Sequence, residues 1–171
     1  PQDEFQLKQI FSVGSQNDLK SKTLINIPFT DTLSGRFTIS SHSRDGAIKS
    51  TNPNAAGDFG DVDTSAATAA FRWKPSDQFT ADYLYDYSDA DFLGPYIQLL
   101  NSDSLQPANA NPDRQTSTDL YLDKDSHHTA KGHRLGLQWQ FNNRTKFESI
   151  SAFRQAEGNG NNVVGTADST M

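Results

Sequence analysis

Along most of this chain polar and apolar side chains alternate one for one, in short runs that end at clusters of Gly, Pro, Asn, Asp and Ser. That is the period of a β-strand whose two faces meet different surroundings, and helical spacing is nearly absent. The pattern predicts an all-β fold, an antiparallel up-and-down meander with strands at residues 4–13, 18–29, 34–43, 63–74, 78–88, 131–141 and 145–155. Tight connections fall at Thr30-Asp31-Thr32-Leu33, Pro75-Ser76-Asp77 and Asn142-Asn143-Arg144, each built of turn-forming residues between alternating runs. The alternate connections, residues 44–62 and 89–130, are long and polar, and only Gly14-Ser15-Gln16-Asn17 is short among them. A meander with this rhythm collects its long loops at one end and its tight turns at the other.

Within the strands the two faces separate cleanly. Residues 78–88 set Phe79, Ala81, Tyr83, Tyr85 and Tyr87 against Thr80, Asp82, Leu84, Asp86 and Ser88. Residues 131–141 set His133, Leu135, Leu137, Trp139 and Phe141 against Gly132, Arg134, Gly136, Gln138 and Gln140. Charges oppose aromatics throughout, Lys131 at a loop edge being the exception. Phe29, Phe37, Trp73, Phe79, Trp139, Phe141 and Phe147 gather toward the tight turns, where the aromatic girdle of a membrane barrel lies. The opposite faces carry Arg36, Arg72, Asp82, Asp86, Arg134, Glu148 and Arg154, the kind of side chain a polar lumen holds. Alternation alone fits a soluble antiparallel sheet with one buried face equally well. Loop asymmetry and the aromatics at the turns favour a partial transmembrane β-barrel, about seven strands of a larger one.

Composition removes several other classes. The longest apolar runs are a few residues, such as Val163-Val164, whereas a spanning helix needs roughly 20. The formal net charge of −6, with Lys and Arg scattered, argues against a nucleic-acid surface. The absence of cysteine excludes disulfides, thiol catalysis and Cys-ligated zinc. A start at Pro1 without Met or a signal segment, and an end at Met171, read as an excised piece of a longer chain.

Candidate chemistry is sparse. His127-His128, with Asp123, Asp125 and His133 nearby, is the one cluster of metal-ligand types, yet adjacent strand histidines point to opposite faces. Asp58, Asp61 and Asp63 lack the twelve-residue calcium-loop pattern and its distal Glu. Asp82 and Asp86 sit about 13 Å apart along one face, too far to share a proton or flank a glycosidic bond. No Ser/His/Asp spacing, phosphate loop or cofactor fingerprint is present, so neither an enzyme nor a bound cofactor is expected. The apolar patch Phe92 to Leu100 inside the second long loop is expected to pack on its neighbours, or to offer Tyr96 to a ligand together with His127 and His128. Asn143-Arg144-Thr145 matches a glycosylation sequon but reads as turn chemistry.

Several stretches then resemble the early barrel of TonB-dependent outer-membrane receptors. They are Ile27-Pro28-Phe29-Thr30-Asp31-Thr32-Leu33-Ser34-Gly35-Arg36-Phe37, Ser43-Arg44-Asp45-Gly46, Gly60-Asp61-Val62-Asp63, Phe71-Arg72-Trp73-Lys74-Pro75-Ser76-Asp77 and Ser149-Ile150-Ser151-Ala152-Phe153-Arg154. Their order and spacing also resemble the family, with Phe153 where it usually has Tyr, and the likeness spans roughly residues 4–156. It implies that residues 1–171 are a segment of the barrel domain, with extracellular loops near 44–62 and 89–130. It further implies a parent in the bacterial outer membrane that captures a small-molecule or metal-chelate nutrient and imports it with energy delivered through TonB. The plug and the TonB-binding segment would precede this stretch, and the partners would be the TonB complex, the ligand and membrane lipid. The alternatives are a passive porin or barrel adhesin, and a soluble β-sandwich binding module.

Overall fold

The computed structural model of the protein describes residues 1–98, 113–122 and 126–160. In chain order its strands are β1 (Gln6–Val13), β2 (Leu19–Thr30), β3 (Leu33–Arg44), β4 (Lys49–Ser50), β5 (Val62–Ser76), β6 (Phe79–Phe92), β7 (Ser117–Thr118), β8 (Ser126–Asn142) and β9 (Thr145–Asn159). Seven of them form one sheet in the order β1-β2-β3-β5-β6-β8-β9, every pair antiparallel, so the chain runs up and down without a crossover. The sheet is not closed, and β1 and β9 are its edges. The two-residue strands β4 and β7 pair in parallel and join the two long connections. The described residues contain no helix, hence none long and apolar enough to cross a membrane.

Local chemistry explains the turns. At one end the ladders close at Thr30↔Leu33, Ser76↔Phe79 and Asn142↔Thr145, leaving two residues in each hairpin loop. The Thr30 hydroxyl accepts from the backbone N–H groups of Thr32 at 3.2 Å and Leu33 at 3.0 Å, which holds the first turn. Pro28 and Pro75 lie beside the register shifts at Pro28/Thr30 and Trp73/Ser76, places where a residue without an N–H is tolerated. At the other end Gln16 (φ 62°) and Asn17 (φ 51°) are both left-handed, and Asp18 N–H donates to the Ser15 carbonyl at 3.3 Å. Two successive positive φ values match the right-handed twist of β1 and β2.

The strands reach further toward the long connections than hydrophobic alternation indicates. β6 extends to Phe92, β8 begins at Ser126 and β9 ends at Asn159. The expected loop 89–130 therefore lends both of its ends to the sheet, and His127 and His128 stand on β8 rather than in a loop. The cause is a change of polarity on one face: above Tyr83, Tyr85 and Tyr87 come Asp89 and Asp91, so backbone pairing continues where the apolar signal stops. Of that expected loop, residues 99–112 and 123–125, including Asp123 and Asp125, lie outside the described residues.

Away from the bulges the register places odd-numbered strand residues on one face of the sheet and even-numbered ones on the other. The odd face holds most of the aromatics and aliphatics, with Ile10, Leu24, Leu84, Phe92 and Ile150 among those on the even face. Nothing is packed on the odd face as a second sheet: the other pairings among the described residues are β4 with β7 and the isolated bridge between Ile48 and Phe59. Trp73, Tyr83, Leu135, Trp139 and Phe147 are all exposed, and the buried apolar side chains among the described residues are Phe59 (2%) and Leu93 (3%), both outside the strands.

Candidate functional site

Rows of side chains run across the even face. One row is Asn26, Arg36, Ala70, Leu84, Arg134 and Ala152; the next toward the tight turns holds Ser34, Arg72, Asp82, Gly136 and Ile150. A third, on the other side, holds Thr38, Thr68, Asp86, Gly132 and Arg154. Arg72 grips Asp82 with two parallel bonds, Nε to Oδ1 at 2.7 Å and Nη2 to Oδ2 at 3.0 Å, the fork geometry that suits guanidinium and carboxylate. Arg154 Nη2 donates to Asp86 Oδ2 at 2.7 Å over Gly132, where a Cβ would stand 3.0 Å from that carboxylate and 3.2 Å from Arg154 Nε. Glu148 pairs with Lys146. Arg36 and Arg134 have no carboxylate within ion-pair distance among the described residues, and Arg36 Nε is buried without an acceptor. All seven polar-face residues named from the sequence thus share this face.

Asn26, in the Arg36 row, is fully buried. Its Oδ1 accepts from Gln2 N–H at 2.9 Å, and its Nδ2 donates to the carbonyls of Gln2 at 2.7 Å and Glu4 at 2.6 Å. These bonds lay the strap of residues 1–4 across the even face before β1 begins. The alternation pattern marks Asn26 only as polar and gives no sign of the strap, because its partners are backbone atoms.

On the odd face the rings of Trp73, Phe79, Trp139 and Phe141 form a chain beside the tight turns, with centroid separations of 5.8, 6.0 and 4.7 Å. Phe147 is the ladder partner of Trp139. Phe29 stacks on Phe71 at 6.4 Å. Phe37 stands apart from the turns, in the row of Ile25, Ala69 and Tyr85, and meets Phe71 edge-on at 5.6 Å.

Two of the stretches singled out in the sequence, Ser43 to Gly46 and Gly60 to Asp63, meet at the loop end. Arg44 Nη2 donates to the Gly60 carbonyl at 3.0 Å, Ile48 bridges to Phe59, and Gly60 takes φ +82°. A Cβ on Gly46 would lie 2.5 Å from the backbone of Asp58, so only glycine fits that approach. Asp45 accepts from Asn17 Nδ2 at 2.5 Å, and its own N–H donates to the Gln16 carbonyl at 2.9 Å, tying the β1–β2 turn to the same cluster. Asp58 accepts from Ser50 N–H at 3.0 Å and Asp61 from Leu93 N–H at 2.7 Å. These carboxylates therefore serve as loop staples. An open, largely acidic cleft of about 450 Å³ runs between Arg44, Asp58, Asp63 and Asp91.

Both long connections join in this assembly. Beyond the β4–β7 pairing, Ser50 Oγ donates to the Leu120 carbonyl at 2.8 Å and Ala56 N–H to the Leu122 carbonyl at 2.9 Å. Tyr96 packs its ring 5.6 Å from that of Phe59 and donates its hydroxyl to Gln115, so it is engaged in packing within the loops.

His127, His128 and His133 do not come together, in line with adjacent strand histidines pointing to opposite faces. His128 turns to the even face against Phe92, at 5.3 Å between centroids, while His133 lies further down the odd face with its Nδ1 2.7 Å from the Tyr83 hydroxyl. His127 instead meets two carboxylates of β6: Nδ1 is 2.7 Å from Asp91 Oδ1 and Nε2 is 3.7 Å from Asp89 Oδ2. The hydrogen bond to Asp91 raises the imidazole pKa above its ordinary value; desolvation opposes it, and the charges of Asp91 and then Asp89 add to the rise. One atom from each of these three residues lies within 4.8 Å of the others, the spacing of a metal site, but both ring nitrogens already face carboxylates. The arrangement is that of an ion triad. Sequence could not align Asp91 with His127, because the loop between β6 and β8 is too long to fix their register.

The chain matches no protein-family model, no curated protein and no solved structure.

Proposed function

We propose that this chain forms part of the wall of an outer-membrane β-barrel, with its odd face toward lipid and its even face toward a water-filled interior. The observation that carries this is the uncovered odd face, which is free of charge from the tight turns up to the level of its first charges near the long loops. On β6 it runs from Phe79 without a charge to Asp89; ten residue steps of about 3.4 Å give about 34 Å along the strand, or about 26 Å at a tilt of about 40°. That is the height of an outer-membrane apolar band, about 25 Å. On the other strands the first charges of this face, Asp63, Lys131 and Glu157, also lie toward the long loops. The rings of Trp73, Phe79, Trp139 and Phe141 edge the band on the turn side. Leaving such a face in water forfeits roughly 25 cal/mol for every Å² of apolar surface, whereas lipid covers it.

The interior side is supported by the cross-strand ion pairs and by the strap that enters β1 from the even face. Active import through TonB is supported by the sequence resemblance, two of whose five stretches, Ser43 to Gly46 and Gly60 to Asp63, staple the loop end together. On this basis the parent protein is a TonB-dependent receptor, and the joined long loops form part of its outer, ligand-facing rim.

The test is an immunoblot of fractionated source cells with an antibody against residues 103–126. A band in the outer-membrane fraction, several times heavier than 18.9 kDa and heat-modifiable in mobility, is the expected result. A soluble band near that mass would overturn the membrane assignment and leave a β-sheet binding module.

A further inference from the structure

The chain as a whole is acidic, at −6, but its bases are gathered on the even face. That face carries Lys8, Lys22, Arg36, Arg72, Arg134 and Arg154 among its bases, against Asp82, Asp86 and Glu148, while the odd face carries Asp63, Asp89, Asp91 and Glu157 against Lys131 alone. All three of these even-face carboxylates are already taken, by Arg72, Arg154 and Lys146. Lys8, Lys22, Arg36 and Arg134 are left without a carboxylate partner among the described residues. A basic surface inside an acidic protein is a localised field for anions.

One place on it has the shape of a site. Arg36 and Arg134 occupy the same row, separated by Ala70 and Leu84, whose side chains carry no polar group. The row spans three strand spacings, about 14 Å between the two arginine backbones. Arg72, one row toward the turns, is held in a fixed orientation by its fork with Asp82. A cavity of about 130 Å³ opens beside Arg134 between Ala70, Arg72, Asp82 and Leu84, with Pro1 on one side of it, and Arg36 stands outside its lining. Arg36 Nε is buried with no acceptor, a donor that folding alone leaves unsatisfied.

We infer that Arg36, Arg72 and Arg134 form a binding site for the oxyanion group, carboxylate or phosphate, of a small anionic solute passing along the even face. The site rests on the proposal that this face lines a water-filled interior. Guanidinium groups suit it because their planar donors match both oxyanions in paired hydrogen bonds, and because they stay charged at any working pH. Asp82 does not cancel the site: it consumes one guanidinium edge of Arg72 and leaves Arg36 and Arg134 in excess.

The experiment titrates the intact protein that carries this chain, purified in detergent, with citrate, inorganic phosphate, maltose and spermidine at low ionic strength. Citrate is expected to bind, with an affinity that falls as salt is added, while maltose and spermidine do not compete. The double variant Arg36→Gln/Arg134→Gln should weaken citrate by about tenfold or more, the loss of charge-assisted hydrogen bonds; Lys146→Gln, near the tight turns, should not. Phosphate binding as tight as citrate identifies a simple oxyanion site, and citrate alone identifies one for polycarboxylates. The inference is overturned if wild type prefers maltose or spermidine, if neither anion binds, or if the double variant binds citrate as wild type does. Wild-type preference decides the matter even if the double variant does not fold. Heat-modifiable mobility of the same preparation tests the barrel separately, so a barrel that ignores anions and an anion binder that is no barrel give different results.

Discussion

His127 Nδ1 lies 2.7 Å from Asp91 Oδ1, across the β6–β8 ladder at the level where the odd face has turned from aromatic to acidic. The imidazolium form is the one this pairing favours. With the folded pKa raised above the ordinary 6.5, the stabilisation is fully present below pH 6.5 and is lost as pH rises through the folded value. Histidine resonances followed by NMR across that window should show His127 titrating above 6.5, and Asp91→Asn should bring it down. A His127 that titrates unchanged in Asp91→Asn would remove the pair as the cause.

A charge placed at mid-height should distinguish the two faces. Tyr85→Arg on the odd face is expected to cost about 2–4 kcal/mol in a bilayer-folded barrel, whereas Thr68→Arg, on the even face beside Asp86, should cost under about 1 kcal/mol. Denaturant unfolding of the intact protein in lipid vesicles measures both. Equal costs would mean that the odd face does not meet lipid.

Gly46→Ala forces a Cβ to within 2.5 Å of the Asp58 backbone, where no flexible side chain can yield. The expected cost is about 1–3 kcal/mol, confined to the loop end. Gly136→Ala, whose nearest neighbour would be 3.9 Å away, is the matched control and should leave stability nearly unchanged. Protease sensitivity of residues 45–61 reports the difference, and equal sensitivity in the two variants would contradict the close approach.

Asn26→Ala removes the three bonds that hold the strap. At about 1 kcal/mol per bond the strap should detach, and hydrogen exchange at residues 2–5 should accelerate while β5 and β6 stay protected. Unchanged exchange at Gln2 and Glu4 would show that something other than Asn26 holds the segment.

Residues 1–171 expressed alone should aggregate unless detergent is present. β1 and β9 offer unpaired backbone along their outer sides, and the odd face offers exposed Phe11, Ile39, Leu135 and Phe153. A monodisperse, cooperatively melting monomer in plain buffer would show instead that the face finds cover within the chain.

The meander and its tight turns were legible because period-2 alternation and turn residues are local signals. Thr30 to Leu33 and Asn142 to Thr145 each close within a few residues, so the partner strands and their register follow directly. Legibility failed where polarity stopped reporting pairing. Asp89 and Asp91 read as loop because they are charged, yet they continue β6 in the same register as Tyr85 and Tyr87. The polar-face arginines were visible as residues, but which of them lack carboxylates depends on neighbours across strands joined by long loops. The β4–β7 pairing left no trace in the sequence, being two polar residues on each side and held by backbone groups.

That short pairing has a consequence for how this end of the sheet can change. Ser50 and the Leu120 carbonyl it binds are 70 residues apart, so the two long connections are one unit although the chain encodes them separately. A graft or recombination that replaces one of them inherits a neighbour cut to fit the other. Change at this end of the sheet is therefore expected to arise by point changes on its outer side, or by exchange of both connections together, rather than by swapping a single loop.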